Sequence, residues 1–322
     1  MKLFPLILAA IPAAFSLSAF AGPATFEQAK AELRQKVYFD RNEVGDTYCG
    51  CPWRWVGKSG GRMDLQACDY SVRAQPERAA RLEWEHVVSA WAFGHQRQCW
   101  QNGGRKNCVA TDPVFRAMEA DAHNLTASVG EVNGDRANFR FNQLSSTPYR
   151  YGACQTRVDF KQRAAEPQDS AKGLIARIQF YMHDRYALAM SRQQQQLFMA
   201  WDRQYPPSGW ETERNRRITN VMGHSNPYVT GERTWTIGKR PIGDGLAAHN
   251  FEQVKSSPAR PDPNSRMDQT QLPVIGNQRS GVFHMPEGCP SYTKVSSHNR
   301  VTFNSAQEAK AAGFRLAGNC RT

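Results

Sequence analysis

Beyond its first twenty residues the sequence has no apolar run long enough to cross a bilayer, no internal repeat and no Cys-x-x-Cys pair. The first absence leaves only Leu3 to Phe20 as a membrane or targeting segment. The second argues against solenoids and propellers, and the third against the common cysteine-rich zinc sites. Acids are scarce beside bases, 29 Asp and Glu against 41 Lys and Arg, for a formal net charge of +12. That sign attracts polyanions without choosing among nucleic acid, acidic lipid and cell-wall polymer. No stretch has the pattern of a standard base-reading helix, so contacts to a nucleic acid should fall mainly on phosphates.

What is present begins with an export signal. Lys2 gives a positive start, Leu3 to Phe20 is apolar apart from two serines, and Ala19-Phe20-Ala21 is a small-x-small cleavage site. Residues 1–21 are therefore expected to be a signal peptide, and the mature chain to begin at Gly22 with a charge of +11 (40 bases less 29 acids). A periplasmic or secreted monomer without a stable membrane anchor follows. The cysteines are Cys49, Cys51, Cys68, Cys99, Cys108, Cys154, Cys289 and Cys320. An even number in an exported chain points to disulfides. One residue between Cys49 and Cys51 is poor geometry for a mutual bridge. Each should reach elsewhere, with Cys68 and Cys154 the nearest candidates, while Cys99 and Cys108 read as a local clasp around Gly103-Gly104.

Length allows one large domain or two. Thr25 and Gln28 form a capping box ahead of Phe26, Ala29, Leu33 and Val37 at helical spacing. Tyr48 to Tyr70 reads as short strands and turns, and Leu82 to Val88 as a strand. Asp112-Pro113 opens a helix that should carry Phe115, Met118 and Leu125 on one side. Leu174, Ile175, Ile178, Tyr181 and Met182 mark the apolar face of another helix, and Leu197, Phe198 and Trp201 that of the next. Ser208 and Glu211 box a further helix that Gly223 stops. From about residue 231 to 275 the composition reads as a linker or a surface wrap. Residues 276–322 form a small module, with strands at Val282-Phe283 and Val301 to Phe303 and a helix opened by Ser305 and Glu308.

The densest polar constellation lies between Glu83 and Asn138. Phosphodiester hydrolysis needs a base to activate water, positive charge for the pentavalent phosphorane, and help for the leaving oxygen. Three histidines, several acids and arginines fall in this stretch. Trp84, Trp91 and Trp100 are expected in the core, and His95 and His123 as structural.

The strings Glu83-Trp84-Glu85-His86-Val87-Val88, Phe93 to Trp100, Gly103 to Cys108, His123-Asn124-Leu125 and Gly130 to Arg136 resemble the endonuclease I family of bacterial periplasmic and extracellular nucleases. These are ββα-metal (His-Me finger) enzymes, and the resemblance runs from about Phe26 to Tyr228. It implies an α+β fold: a ββα-metal core with flanking helices and disulfides over residues 22–230. It implies a sequence-tolerant, metal-dependent endonuclease acting on DNA and RNA. His86 would be the general base, Glu85 and Asn133 the ligands of a magnesium ion for which Mn2+ or Ca2+ could substitute, and Arg105 the clamp on the scissile phosphate. Glu119 would be an outer ligand, and Asn124 would orient or support the site. As a base, His86 should make the rate rise with pH as its imidazole loses a proton. One detail conflicts with a regular strand, where Glu85 and His86 point to opposite faces; either the strand bends or Glu83 takes the place of Glu85. Relatives carry a further cysteine pair, and Thr212 stands where one member would lie.

The end of the chain, with His284, Cys289-Pro290, Asn299 to Phe303 and Cys320, resembles the small metal-binding domain of Ada-type DNA repair proteins. That domain holds zinc with four cysteines. Only two are present here, so Cys289–Cys320 reads as a disulfide in a related hairpin-helix fold, and zinc on His284, Cys289 and Cys320 is the competing arrangement. The competing function is a non-catalytic extracellular protein that captures DNA, for which charge and module fit equally well.

Overall fold

A computed structural model describes residues 22–246, 273–296, 299–303 and 305–320. The segment expected as a signal peptide lies outside them. The chain divides into two units, one through Ser257 and one from Pro258. Both are mixed helix and sheet. Among the described residues no helix is long and apolar enough to cross a membrane.

The first unit opens with α1 (Phe26–Glu32), continued by a π-helical turn at Leu33–Val37. Then come β1 (Trp53–Val56), β2 (Gly60–Met63), α2 (Pro76–Ala79), β3 (Arg81–His86), α3 (Ala90–Gly94), α4 (Gln98–Gln101), α5 (Gly104–Thr111), α6 (Pro113–Glu119), β4 (Leu125–Val129) and α7 (Gly130–Arg136). The remainder is β5 (Arg140–Phe141), β6 (Arg157–Asp159), β7 (Ala164–Glu166), α8 (Asp169–Arg185), α9 (Arg192–Gln204), α10 (Gly209–Met222) and α11 (Pro227–Thr230). The helix starts are chemical: Thr25, Asp112 and Ser208 each accept from the backbone N–H three residues on. Gly223, at φ 76°, closes α10 in the left-handed conformation.

The β1-β2-β3-β4 sheet is antiparallel throughout. Its asymmetry positions the site. β4 pairs with β3 from Leu82 to His86, but β2 pairs only with Arg81 and Leu82. From Glu83 onward β3 has an open edge. β4 itself departs from the expectation that Leu125 continues the apolar side of the helix opened by Asp112. That helix ends at Glu119, and Leu125 pairs with His86. The run Leu125-Thr126-Ala127-Ser128-Val129 alternates apolar and polar residues, yet it is buried at every position, Thr126 and Ser128 included.

α8 is likewise buried on more than its expected apolar face. Lys172, Arg177, Gln179, His183 and Asp184 are inside as well as Ile175 and Ile178. Their polar ends are satisfied; Arg177, for instance, pairs with Glu211 and Asp202. Cys49 joins Cys154, and Cys51 joins Cys68. The Asp46 carboxylate accepts from the N–H groups of Tyr48, Cys51 and Val129, tying this double bridge to β4. Cys99–Cys108 clasps α4 to α5.

Residues 231–246 pack against α8 of the first unit. Trp235 is 3 % exposed and stacks on Phe180 of α8 at 5.0 Å. Asp184 accepts from Arg233 at 3.1 Å and from the Ile242 N–H at 3.0 Å. A chain ending near Val229 strips a buried tryptophan from the core, a loss of the kind that costs about 3–5 kcal/mol. We expect truncation after Leu246 to leave the urea midpoint of the first unit unchanged and truncation at Val229 to lower it. Equal midpoints for the two would contradict this packing argument.

The second unit has β8 (Val274–Asn277), β9 (Val282–His284), β10 (Arg300–Phe303), α12 (Ala306–Ala311) and β11 (Arg315–Leu316). The strands lie in the order β10-β8-β9-β11, with β11 parallel to β9. Val274, Phe283, Phe303 and Ala309 form its core, and Cys289 is bridged to Cys320.

Candidate active site

A cleft of about 410 Å³ runs along the open edge of β3. Glu83, Glu85, His86, Arg105 and Asn133 all line it, together with Phe26, Lys30 and Arg78. The open edge removes the conflict of adjacent residues facing opposite ways. With no strand beside it, both Glu85 and His86, the last residue of β3, reach the same space. Glu83 lines the cleft as well as Glu85.

His86 is held at its far nitrogen. Its Nε2 lies 2.8 Å from the Glu119 carbonyl oxygen, which can only accept. The proton therefore sits on Nε2, and Nδ1 is left as a lone-pair acceptor. Phe26 and Phe93 pack on the ring at 4.7 and 6.0 Å between centroids. Burial, reinforced by the positive charge of Arg105, pushes its pKa down to about 3. The imidazole is therefore neutral throughout the neutral range, where an ordinary histidine would still titrate.

Glu85 is 3 % exposed, and burial pushes its carboxyl up to about 7 against the pull of Arg136. Arg136 Nη1 donates to Glu85 Oε1 at 2.5 Å; Oε2 has no hydrogen-bond partner among the described residues. Asn133 stands on α7. Its Nδ2 donates to Glu83 Oε2 at 2.9 Å, which orients the amide and leaves Oδ1 as its free end. Glu83 is fixed in turn by Arg78, through Nε at 3.0 Å and Nη2 at 2.7 Å. The glycine at 134 follows from this packing, since a Cβ there would fall on the Arg78 guanidinium.

Arg105 donates from Nε to Glu119 Oε1 at 2.6 Å, and its guanidinium lies 5.6 Å from the Phe26 ring centre. Its side chain is 46 % exposed and its two Nη groups have no partner among the described residues. Glu119 is buried and is not among the residues lining the cleft; it holds Arg105 by its carboxylate and His86 by its carbonyl. Asn124 is fully buried and closes both side-chain bonds on the Val88 backbone, fixing the chain just after β3.

Phe26, Lys30 and Arg78 line the cleft and Arg136 holds Glu85; none of the four was given a site role from sequence. Phe26 carried the helical period that marks core, and the arginines stood among many. His123 is buried, with Nε2 on the His224 carbonyl oxygen, and does not line the cleft. Trp91 is 45 % exposed and not in the core, because α3 is a short surface turn; it stacks on His95 at 3.8 Å.

Residues 25–232 match the model of the family Endonuclease I. The chain belongs to the endonuclease I family. Two relatives from Aeromonas hydrophila are similar to it: an extracellular deoxyribonuclease, 51 % identical over 206 residues (64 % of this chain, 88 % of that protein), and a periplasmic deoxyribonuclease, 50 % identical over 206 residues (64 % and 85 %). An Endonuclease-1 from Buchnera aphidicola subsp. Acyrthosiphon pisum (strain APS) is 44 % identical over 204 residues (63 % and 80 %). The match to the endonuclease I family lies within the first unit and leaves the second outside it.

Proposed function

We propose that this chain is an exported endonuclease that hydrolyses phosphodiester bonds of DNA, and of RNA by the same contacts, with β3, β4 and α7 as its ββα-metal unit. The observation that carries the reading is the neutral His86, whose free Nδ1 shares one cleft with two uncommitted oxygens and an unpaired guanidinium edge. The names of the relatives, deoxyribonuclease and endonuclease, support it.

A divalent cation fits the donor set. Glu85 Oε2 and Asn133 Oδ1 are hard oxygen donors of the type magnesium and manganese prefer, and magnesium needs few protein ligands because it keeps much of its water. Glu85 is also a buried carboxyl whose pKa is raised by burial, and a cation beside it would favour its charged form. When bound there, the ion would supply positive charge to the scissile phosphate and its leaving oxygen.

The chain's own groups supply the rest. Arg105 presents its Nη donors to a phosphate oxygen while Glu119 anchors its Nε. His86 Nδ1 accepts a proton from water as the water oxygen bonds to phosphorus. The bond from phosphorus to the 3′-oxygen breaks, and that oxygen takes a proton from solvent. The Glu119 carbonyl keeps the imidazole in the tautomer this step requires. Glu83 acts one residue removed, by keeping the Asn133 oxygen turned away from itself. Lys30, Arg78 and Arg105 bring only positive charge to the cleft, a chemistry suited to phosphates and indifferent to base.

Supercoiled plasmid tests the proposal. We expect nicking to cease in excess EDTA and to return with magnesium or manganese, and a single-stranded RNA oligonucleotide to be cut under the same conditions. Binding of plasmid with no nicking at any metal concentration would establish the DNA-capture alternative; full activity in EDTA would remove the cation from the site.

A further inference from the structure

Three arginine–aromatic contacts that the chemistry at His86 does not use gather around the β5-β7-β6 sheet. The Arg163 guanidinium lies 4.9 Å from the Phe139 ring centre, that of Arg73 4.8 Å from Phe160, and that of Arg157 4.2 Å from Tyr149. Phe139 and Phe160 meet edge to face at 6.2 Å. These rings are not core: Phe160 is 43 % exposed and Tyr149 52 %. A cavity of about 360 Å³ opens beside Phe160, between residues 146–150 and the end of β6. Arg150 and Lys161 line it, are exposed, and make no ion pair among the described residues. The acid that lines it, Asp159, is already engaged: it accepts from the Thr147 hydroxyl at 3.0 Å and from the Gln162 N–H at 2.8 Å. The cavity is joined to the active-site cleft by direct contacts. Ala137 lines the cleft, and Asn138, next in the chain, accepts from Arg163 Nη2 at 3.1 Å. Arg163 covers Phe139, which meets Phe160. Arg73, over Phe160, pairs with Asp135 of α7, the helix that presents Asn133.

We propose that this surface is a track for an unpaired nucleic-acid strand leaving the cleft, with bases stacked on Phe160 and Tyr149 and phosphates met by Arg150, Lys161 and Arg163. The inference rests on the nuclease reading and adds to it the form of substrate the enzyme holds outside the cleft. Two kinds of group support it. The exposed rings are apolar platforms on which any base can stack, because every base has a π-face. The unpaired cations beside them match the phosphates of the same strand and carry no preference for sequence. Neither group alone would choose between strand forms. Together they do: a duplex keeps its bases paired and stacked on one another, so it engages the cations but not the rings. A single strand, or the frayed end of a duplex, engages both. Arg73 and Arg157 fix the rings rather than the phosphates, since Arg73 is committed to Asp135 through two bonds and Arg157 to Glu166 and the Leu144 carbonyl. The rings are thereby held in place before a strand arrives.

The test uses the full mature chain in EDTA, with a fluorescein-labelled single strand of mixed sequence and the same strand in duplex, both read by anisotropy. Phe160→Ala should weaken single-strand binding by roughly 5- to 150-fold, the range for one stacked base, with little effect on duplex binding or on the salt dependence. Phe160→Trp should keep the single-strand affinity. Arg150→Ala with Lys161→Ala should weaken both strand forms and lower the single-strand salt slope by roughly 1.4, as for two lost phosphate contacts. With magnesium restored, a dinucleotide should be cut at the wild-type rate by every variant, which also establishes that the first unit is folded. Wild-type protein in EDTA is irradiated with an iodouracil-bearing single strand as well, and the crosslinked peptides should contain Phe160 or Tyr149. A Phe160→Ala protein with wild-type single-strand affinity, an equal loss on single strand and duplex, or crosslinks at neither ring would each overturn the proposal. Binding is read without metal, so these outcomes decide the track whether or not the cleft cuts; the plasmid assay alone decides the reaction.

Discussion

His86→Ala should cut single-turnover DNA cleavage by roughly 10²–10⁴-fold, the usual worth of a positioned general base, and leave DNA affinity close to wild type. Affinity for nucleic acid comes from many phosphate contacts, and Lys30, Arg78 and Arg105 remain in the cleft. The pH profile separates this base from an ordinary histidine. The active form is the neutral imidazole, and burial holds its pKa down to about 3. Above pH 5 essentially every molecule carries the active form. Wild-type cleavage should therefore show no acid limb from His86 between pH 5 and 8, where an unperturbed imidazole would lose activity below its pKa of about 6.5. A cation bound beside it would lower the pKa further, so the sign is unchanged. Thermal melts of the variant establish that it folds, since the ring also packs on Phe26 and Phe93. Near-wild-type turnover in His86→Ala would require another base. Neither His123, buried on the His224 carbonyl, nor His95, stacked on Trp91, lines the cleft.

The parts of this fold legible in the sequence were those governed by local chemistry. Thr25, Asp112 and Ser208 stand where helices start, and Gly223 where one stops, because caps act within a few residues. β4 was not legible. Its alternation of apolar and polar residues spans only Leu125 to Val129, and Leu125 falls at a spacing that also suits the preceding helix. The strings that carry the resemblance pointed to Glu85, His86, Arg105, Asn133, Glu119 and Asn124 as a candidate site, yet not to how they are held. Glu119 illustrates the gap. Its carbonyl, a group every residue possesses, sets the His86 tautomer, and its carboxylate is occupied by Arg105. The open edge of β3 depends on where β2 stops pairing, a matter of register between distant segments. Arg78 and Lys30 reach the cleft from two different helices and Arg136 holds Glu85 from a third, and no spacing rule brings them together.

Arg136 carries the second large effect. It is 4 % exposed and holds three acceptors at once: Glu85 Oε1 at 2.5 Å, the His86 carbonyl at 2.8 Å and the Val87 carbonyl at 2.6 Å. α7, which presents Asn133, is thereby tied to the end of β3, which presents Glu85 and His86. Breaking a buried ion pair from one side strands the other charge, and Arg136→Ala should lower stability by about 3–5 kcal/mol, read as a lower urea midpoint. The same substitution should weaken the candidate cation site. Glu85 already sits near 7 with Arg136 in place, and removing the nearest positive charge raises it further. A carboxyl whose pKa is raised is charged only above that pKa. At neutral pH the variant's Glu85 would be mostly protonated and a poor ligand, and magnesium affinity by calorimetry should fall and then recover as pH is raised. Arg136→Lys keeps the charge but cannot span all three acceptors with the same planar fork; its stability and magnesium affinity should lie between those of wild type and the alanine variant. Glu85→Ala supplies the contrast. It removes the ligand itself, so its loss of magnesium affinity should not recover at high pH. An Arg136→Ala protein with the wild-type urea midpoint and a pH-independent magnesium affinity would show that the pair neither supports the fold nor tunes Glu85.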